Sequence, residues 1–272
     1  MSLDLRYGKD DKNRARRTSF DSDAANYDRV RPRYCPELFE AIVKASGLTA
    51  ASHALEVGPG TGQATEPFIQ LGCRVTAAEL GESLAQYLAE KYEEYSNLLV
   101  WQGDFLNFPE SEQYDLLYSA TAFHWIPREA GFDKAMSLLK PGGTLALFWN
   151  HPIVGDGPGA SGYDAVQEVY ARFGKAKGGA VFDGSTCAAY EEALRKAGFV
   201  SVGSQLFTAY RYLTGVEYVA LMRSYSDHVS LPEETRLALE ADMEETIRTK
   251  LQDRLVIRDV MDLYLAKKPE EN

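Results

Sequence analysis

Three glycines at alternate positions, Gly58, Gly60 and Gly62, follow the short apolar run His53-Ala54-Leu55-Glu56-Val57. Glycines so spaced let a chain turn tightly from strand to helix and let a ligand approach the main chain closely. An acid, Glu79, closes the next apolar run, about 20 residues further on, where a carboxylate can bind a ribose hydroxyl pair. The helix expected after the turn offers free N–H groups to a carboxylate or phosphate. The chemistry of this segment is therefore that of holding a nucleoside-like ligand. The spacing is GxGxG rather than GxGxxG, and the residue before the turn, Glu56, is itself an acid. An acid there repels a pyrophosphate and suits a cationic amino group, which favours S-adenosylmethionine over NAD. The bland alternatives are an empty structural turn and a Glu56 that merely caps it.

The elements that must position these residues alternate regularly. Strands are expected at 53–57, 74–79, 97–102, 114–119 and 144–149, with helices at 63–71, 82–95 and 128–139, and a Lys140-Pro141-Gly142-Gly143 turn. A further helix fits 37–46, stopped by Gly47. Such alternation implies a doubly wound, mostly parallel α/β sheet. Beyond Asn150 the character changes. Residues 155–162 are glycine-rich and read as a loop or lid hinge. Helices are expected at 163–173, 187–197, 215–228 and 232–251, and strands at 200–212 and 256–266.

Composition sets the outer bounds. The chain has 272 residues and carries 29 Lys and Arg against 40 Asp and Glu, for a net charge of −11. That sign is wrong for a whole-surface nucleic-acid binder or for an anionic membrane. No apolar run approaches the roughly 20 residues of a membrane span, and no secretory h-region is visible. Cys35, Cys73 and Cys187 are far apart and form no metal-ligand pattern, so neither a disulfide framework nor a metal site is expected. A cytoplasmic location follows as the default.

In sequence order, Leu55-Glu56-Val57-Gly58-Pro59-Gly60-Thr61-Gly62, Val75-Thr76-Ala77-Ala78-Glu79, Gln102-Gly103-Asp104-Phe105, Tyr114-Asp115-Leu116-Leu117-Tyr118-Ser119 and Leu138-Leu139-Lys140-Pro141-Gly142-Gly143 resemble the class I S-adenosylmethionine-dependent methyltransferases. The resemblance covers about a third of the chain. A softer one, carried by residues 26–34 and Phe123-His124-Trp125-Ile126, is to small-molecule enzymes similar to trans-aconitate methyltransferase. It implies a seven-stranded Rossmann-like sheet in a single domain. In that picture 1–46 is an N-terminal arm and lid, and 53–150 the cofactor-binding core. Residues 151–272 complete the sheet, with a helical cap at about 215–251.

Carried over by position, Gly58, Gly60 and Gly62 line the methionine part of S-adenosylmethionine, Glu79 holds the ribose, and Leu80 flanks the adenine. Asp104 accepts from the adenine amino group with Phe105 beside the ring. Ser119 and Ala120 lie next to the sulfonium. Tyr27 and one arginine, Arg31, are expected to bind the cofactor carboxylate, with Glu56 near its amino group. The acceptor is expected beyond the carboxyl ends of the strands, near Arg33, Tyr34, Trp125 and Asn150.

His124 is the general-base candidate, because an unperturbed imidazole titrates near ~6.5; a packed, pocket-shaping histidine is the other reading. The chemistry divides accordingly, into a carboxylate acceptor clamped by arginine or a hydroxyl or amine acceptor deprotonated by histidine. A small-molecule acceptor is expected, with no nucleic-acid or membrane partner, in a monomer or homodimer. A non-catalytic S-adenosylmethionine-binding scaffold and a nicotinamide-dependent oxidoreductase are the rival functions.

Overall fold

The computed structural model describes residue 28 and residues 32–157, 162–174, 182–225, 228 and 230–271. One seven-stranded sheet runs through it. Its strands are β1 (His53–Val57), β2 (Arg74–Glu79), β3 (Leu98–Gln102), β4 (Tyr114–Ala120), β5 (Leu139–Val154), β6 (Val200–Leu213) and β7 (Leu255–Lys267). The order is β3-β2-β1-β4-β5-β7-β6. The first five strands are parallel, whereas β7 pairs antiparallel with both β5 and β6.

Helices cover both faces, as buried parallel strands require. α1 (Pro36–Ser46), α2 (Glu66–Gln70) and α3 (Glu82–Lys91) lie on one face, where Leu38, Ile42, Phe68 and Leu88 pack on Ala54, Tyr118 and Phe148. α1 starts on Pro36 and ends at Gly47, whose φ of 67° gives the left-handed cap that stops a helix. α4 (Arg128–Leu138) and, further on, α6 (Cys187–Lys196) cover the other face, where Phe132 and Tyr190 pack with Leu55, Leu147 and Trp149. Residues alternate between the two clusters along β1, with Leu55 and Val57 in one and Ala54 in the other. This period of two decides which residues can reach a site.

Two expectations shift. The Lys140-Pro141-Gly142-Gly143 turn is absorbed into β5 as an irregularity: Tyr114 pairs with Leu139 but Leu116 already pairs with Thr144. Gly142, at φ 72°, donates its N–H to the Lys268 carbonyl, so the antiparallel neighbour holds the bulge in the ladder. The fifth strand also runs on to Val154, paired with β7 as far as Ile257, well beyond the last pairing with β4 at Phe148. On this extension sit α5 (Gly162–Arg172), α7 (Gly215–Met222) and α8 (Glu233–Lys250), packed around Leu255 and Ile257 through Val166, Leu221 and Met243. α7 carries a capping box, in which Thr214 and Glu217 satisfy each other's backbone N–H.

Candidate functional site

The strand order reverses between β1 and β4, which opens a crevice at the carboxyl ends of the strands. A cavity of ≈ 320 Å³ lies there, within the ~300–1,000 Å³ range of small-molecule sites.

One side of the cavity is the glycine turn. Gly58 and Gly60 line it, at φ 70° and 58°. A Cβ on Gly58 would lie 2.5 Å from the Ala122 Cβ, so only glycine fits between the turn and the end of β4. Glu79 is on the wall and organises the turn: its Oε2 accepts from Gly60 N–H at 3.0 Å and its Oε1 from Gly81 N–H at 2.8 Å. Leu80, Gly103 and Phe105 continue the wall.

Four expected residues stand off the cavity. Gly62 faces α3, where a Cβ would come within 2.5 Å of the Tyr92 ring; its φ of 91° serves the turn itself. Glu56 lies on the opposite face of β1 from Val57, fully buried, with its Oε2 accepting from Thr65 at 2.5 Å and from Tyr118 at 3.0 Å. Burial pushes its carboxyl up to about 7, against those two hydrogen bonds, with the Glu79 charge adding to the rise. Ser119 is buried and donates to the Val57 carbonyl at 2.7 Å, tying β4 to β1. Asp104 caps the turn after β3, its Oδ1 accepting from Leu106 N–H at 3.1 Å; its neighbours Gly103 and Phe105 line the cavity instead.

The other side is built from the ends of β4 and β5. Ala120, Thr121, Ala122, His124, Trp125 and Asn150 contribute to it, as does Tyr34. Tyr34 shares a 2.7 Å hydrogen bond with Thr121 Oγ1. Arg33 is absent from this wall: it is exposed and paired with Glu66 at 2.6 Å. Tyr27 and Arg31 lie outside the described residues. Among the described residues no lysine or arginine lines the cavity.

His124 corrects an expectation. Trp149 Nε1–H, a donor only, points at its Nδ1 at 3.0 Å. The single proton of the neutral ring is therefore on Nε2, and no lone pair is left to take a proton from an acceptor. Burial, with the nearby His151 second, pushes its pKa down to about 4. The ring is a neutral N–H donor rather than a base. Sequence reasoning missed Trp149, because an aromatic residue inside a strand looks like any core residue. It also missed Gln63 on the wall, although that residue follows the glycine turn directly.

Residues 54–143 match the family described as a methyltransferase domain. An uncharacterised methyltransferase of Schizosaccharomyces pombe is 27% identical over 233 residues, covering 85% of this chain and 88% of the relative. A protein of Saccharomyces cerevisiae named as a probable S-adenosylmethionine-dependent methyltransferase is 29% identical over 161 residues, 57% of this chain and 53% of its own. These likenesses support an S-adenosylmethionine-dependent methyltransferase of class I.

The fold of this methyltransferase is also that of the phosphoethanolamine N-methyltransferase 2 of Haemonchus contortus, solved with S-adenosylhomocysteine. There the TM-score is 0.54 at 13% identity, over 92% of this chain and 58% of that one. The methyltransferase uses S-adenosylmethionine, and its residues fit that group: a side-chain-free cradle at Gly58 and a carboxylate at Glu79 on the same wall. Among its described residues no helix is long and apolar enough to cross a membrane.

Proposed function

We propose that this methyltransferase acts on a small acceptor whose nucleophile is an uncharged oxygen or nitrogen. The observation that carries this is the acceptor wall, which is aromatic and carries no cation among its described residues. Arg33, the expected carboxylate clamp, is spent on Glu66. The net charge of −11 also opposes a nucleic-acid acceptor.

Gly58 and Gly60 hold the methionine part of the cofactor, Glu79 the ribose hydroxyls, and Leu80, Gly103 and Phe105 the adenine side. Most of the expected arm at 1–46 lies outside the described residues; beside the core of 53–150, the extension after Asn150 with its helices caps the acceptor. When bound, S-adenosylmethionine supplies a methyl carbon next to a sulfonium, so the acceptor lone pair forms its bond as the carbon–sulfur bond breaks. The chain's own task is alignment and exclusion of water, for which effective molarities of about 10⁵–10⁸ M are attainable. His124 Nε2–H orients the acceptor as a donor, with Trp149 fixing the ring. The proton lost by the acceptor leaves to solvent.

The test is release of S-adenosylhomocysteine with a panel of small phenols, alcohols, amines and carboxylic acids, repeated with His124→Ala and His124→Gln. Glutamine can accept from Trp149 and still present an N–H. Turnover should fall about 10–100-fold in His124→Ala, the range for a lost oriented hydrogen bond, and recover in His124→Gln. The activity of the parent should show no rise through pH 6–7 from His124. A rise there that both variants abolish would restore the base; turnover confined to carboxylic acids would overturn the proposal.

A further inference from the structure

The helices carried on the extension of β5 bring one residue to the cavity. Tyr225 lines it, and among the described residues it is the only one beyond Pro152 that does. It also packs against the cluster around Leu255 and Ile257. That cluster stands on the part of β5 past its last pairing with β4 at Phe148. Tyr225 therefore adds to the acceptor side and not to the glycine turn. Three more residues with aromatic rings, Tyr34, His124 and Trp125, line the same cavity.

The chain around Tyr225 is tied to a single carboxylate. Glu240 on α8 is 4% exposed. Its Oε2 accepts from Arg223 Nε at 3.1 Å and Nη2 at 2.7 Å. Its Oε1 accepts from His228 Nε2 at 3.0 Å and from Arg236 Nη1 at 3.3 Å. Arg223 precedes Tyr225 just past the end of α7, and His228 follows it. Between them the main chain turns tightly: Tyr225 N–H donates to the Met222 carbonyl and His228 N–H to the Tyr225 carbonyl, both at 3.0 Å. α7 and α8 already share an apolar core through Leu221 and Met243, so holding the helices together does not need a bond on each side of Tyr225. What the two bonds add is a fixed place for the residue between them.

We infer that Tyr225 is a specificity-determining residue of the acceptor pocket, that it selects an acceptor with an aromatic ring, and that Glu240 is its positioning residue. The inference rests on the small-molecule reading above and narrows it. A planar ring meets aromatic walls stacked or edge-on, and gains more than the apolar area it buries. A saturated ring of the same size buries similar area without that gain. A tyrosine already held in place also loses less freedom when the ligand arrives.

The experiment measures binding by calorimetry to protein saturated with S-adenosylhomocysteine. The probes are 4-methylphenol and 4-methylcyclohexanol, which share a carbon skeleton and a hydroxyl and differ in the ring. The parent should bind the phenol about two- to tenfold more tightly. Tyr225→Leu should erase most of that ratio and Tyr225→Phe should keep it, both with unchanged affinity for S-adenosylhomocysteine. Glu240→Gln should lower the ratio too, because the amide nitrogen meets donors that need an acceptor. If it does not fold, Arg223→Met makes the same test from the half-exposed end of the ion pair. A merely structural tie between the helices would lower the unfolding midpoint in these two variants and leave the ratio at the parent value; that result overturns the role of Glu240. Equal affinities in the parent, or no binding of either probe with S-adenosylhomocysteine bound normally, overturns the inference, as does a ratio unchanged in Tyr225→Leu. Failure of the parent to bind S-adenosylhomocysteine would instead overturn the function proposed above.

Discussion

The two halves of the cavity are assembled over very different stretches of chain. On the glycine-turn side the deciding bond joins Glu79 to Gly60, 19 residues apart. On the acceptor side it joins Asn150 to Asp259, 109 residues apart. The first half is a local device. A turn, the strand before it and the acid at the end of the next strand already contain its geometry. The second half exists only when β7 has paired antiparallel with β5 and β6 has covered β7. The glycine-turn side, proposed for the cofactor, is therefore local in the sequence, and the side proposed for the acceptor is a feature of this chain's packing, which is where substrate identity is free to vary.

The halves come closest to a clash where Gly58 faces Ala122, and the largest effect is expected there. Gly58 →Ala places a Cβ 2.5 Å from the Ala122 Cβ, at a φ of 70° that alanine resists. Overpacking and backbone strain each cost about 1–3 kcal/mol. Affinity for S-adenosylhomocysteine should fall about 100-fold or more. Thermal unfolding reads it: the parent should gain about 2.7 kcal/mol at a hundredfold excess over the dissociation constant, and the variant almost none. An undiminished gain would mean that the turn has slack and that the two halves are not locked together at this point.

How much of each half was legible follows from the same contrast. The bounds of β1 and β2, at His53–Val57 and Arg74–Glu79, are those that apolar runs and turn residues predict, and the doubly wound order follows from alternation. Glu79 and Phe105 are on the wall because they sit at or just after strand ends. Glu56 was expected there for the same reason and is not, because a period of two sends it to the face opposite Val57; Ser119 shares the face of Val57 but is buried, with its hydroxyl spent on the Val57 carbonyl. Resemblance names the positions of a motif, and only the pleat says which way each one points. Arg33 was misplaced because its partner Glu66 lies on a different element. Asp259 and Arg211 carried no signal at all: an acid and an arginine in two late strands look like any surface pair until the register brings them together.

Glu56 sharpens the comparison next. If it belongs to the core face of β1, its effect is on stability and not on the cofactor. Its folded pKa of about 7 lies above the ordinary 4.5. Such a raised carboxyl contributes stability that is fully present below its unfolded pKa and is lost as pH rises through about 7. At about 1.36 kcal/mol per unit the loss is of order 3 kcal/mol. Glu56→Gln keeps the neutral form at every pH. Its urea midpoint should change little between pH 5 and 8 while that of the parent falls, and affinity for S-adenosylhomocysteine should stay the same. A large loss of that affinity would return Glu56 to the cofactor half.

Tyr34 carries the smallest expected effect and the finest distinction. It reaches the cavity from the segment before α1, so it could serve either half. Its ring is set edge-on to Phe148, with centroids 4.8 Å apart, and its hydroxyl meets Thr121 Oγ1 at 2.7 Å. Thr121 has a φ of 52°, in the left-handed region, and the same oxygen also accepts from Asn150 N–H at 3.3 Å. The hydroxyl of Tyr34 thus helps hold a strained residue between β4 and the asparagine of the acceptor wall. Tyr34→Phe keeps the ring and removes that bond, worth about 0.5–1.5 kcal/mol. Binding of 4-methylphenol should weaken two- to tenfold while affinity for S-adenosylhomocysteine is unchanged, because the cofactor half does not depend on Thr121. Equal weakening of both ligands would place Tyr34 across the two halves as a common lid, and the division between a local cofactor side and a long-range acceptor side would then stop at residue 34.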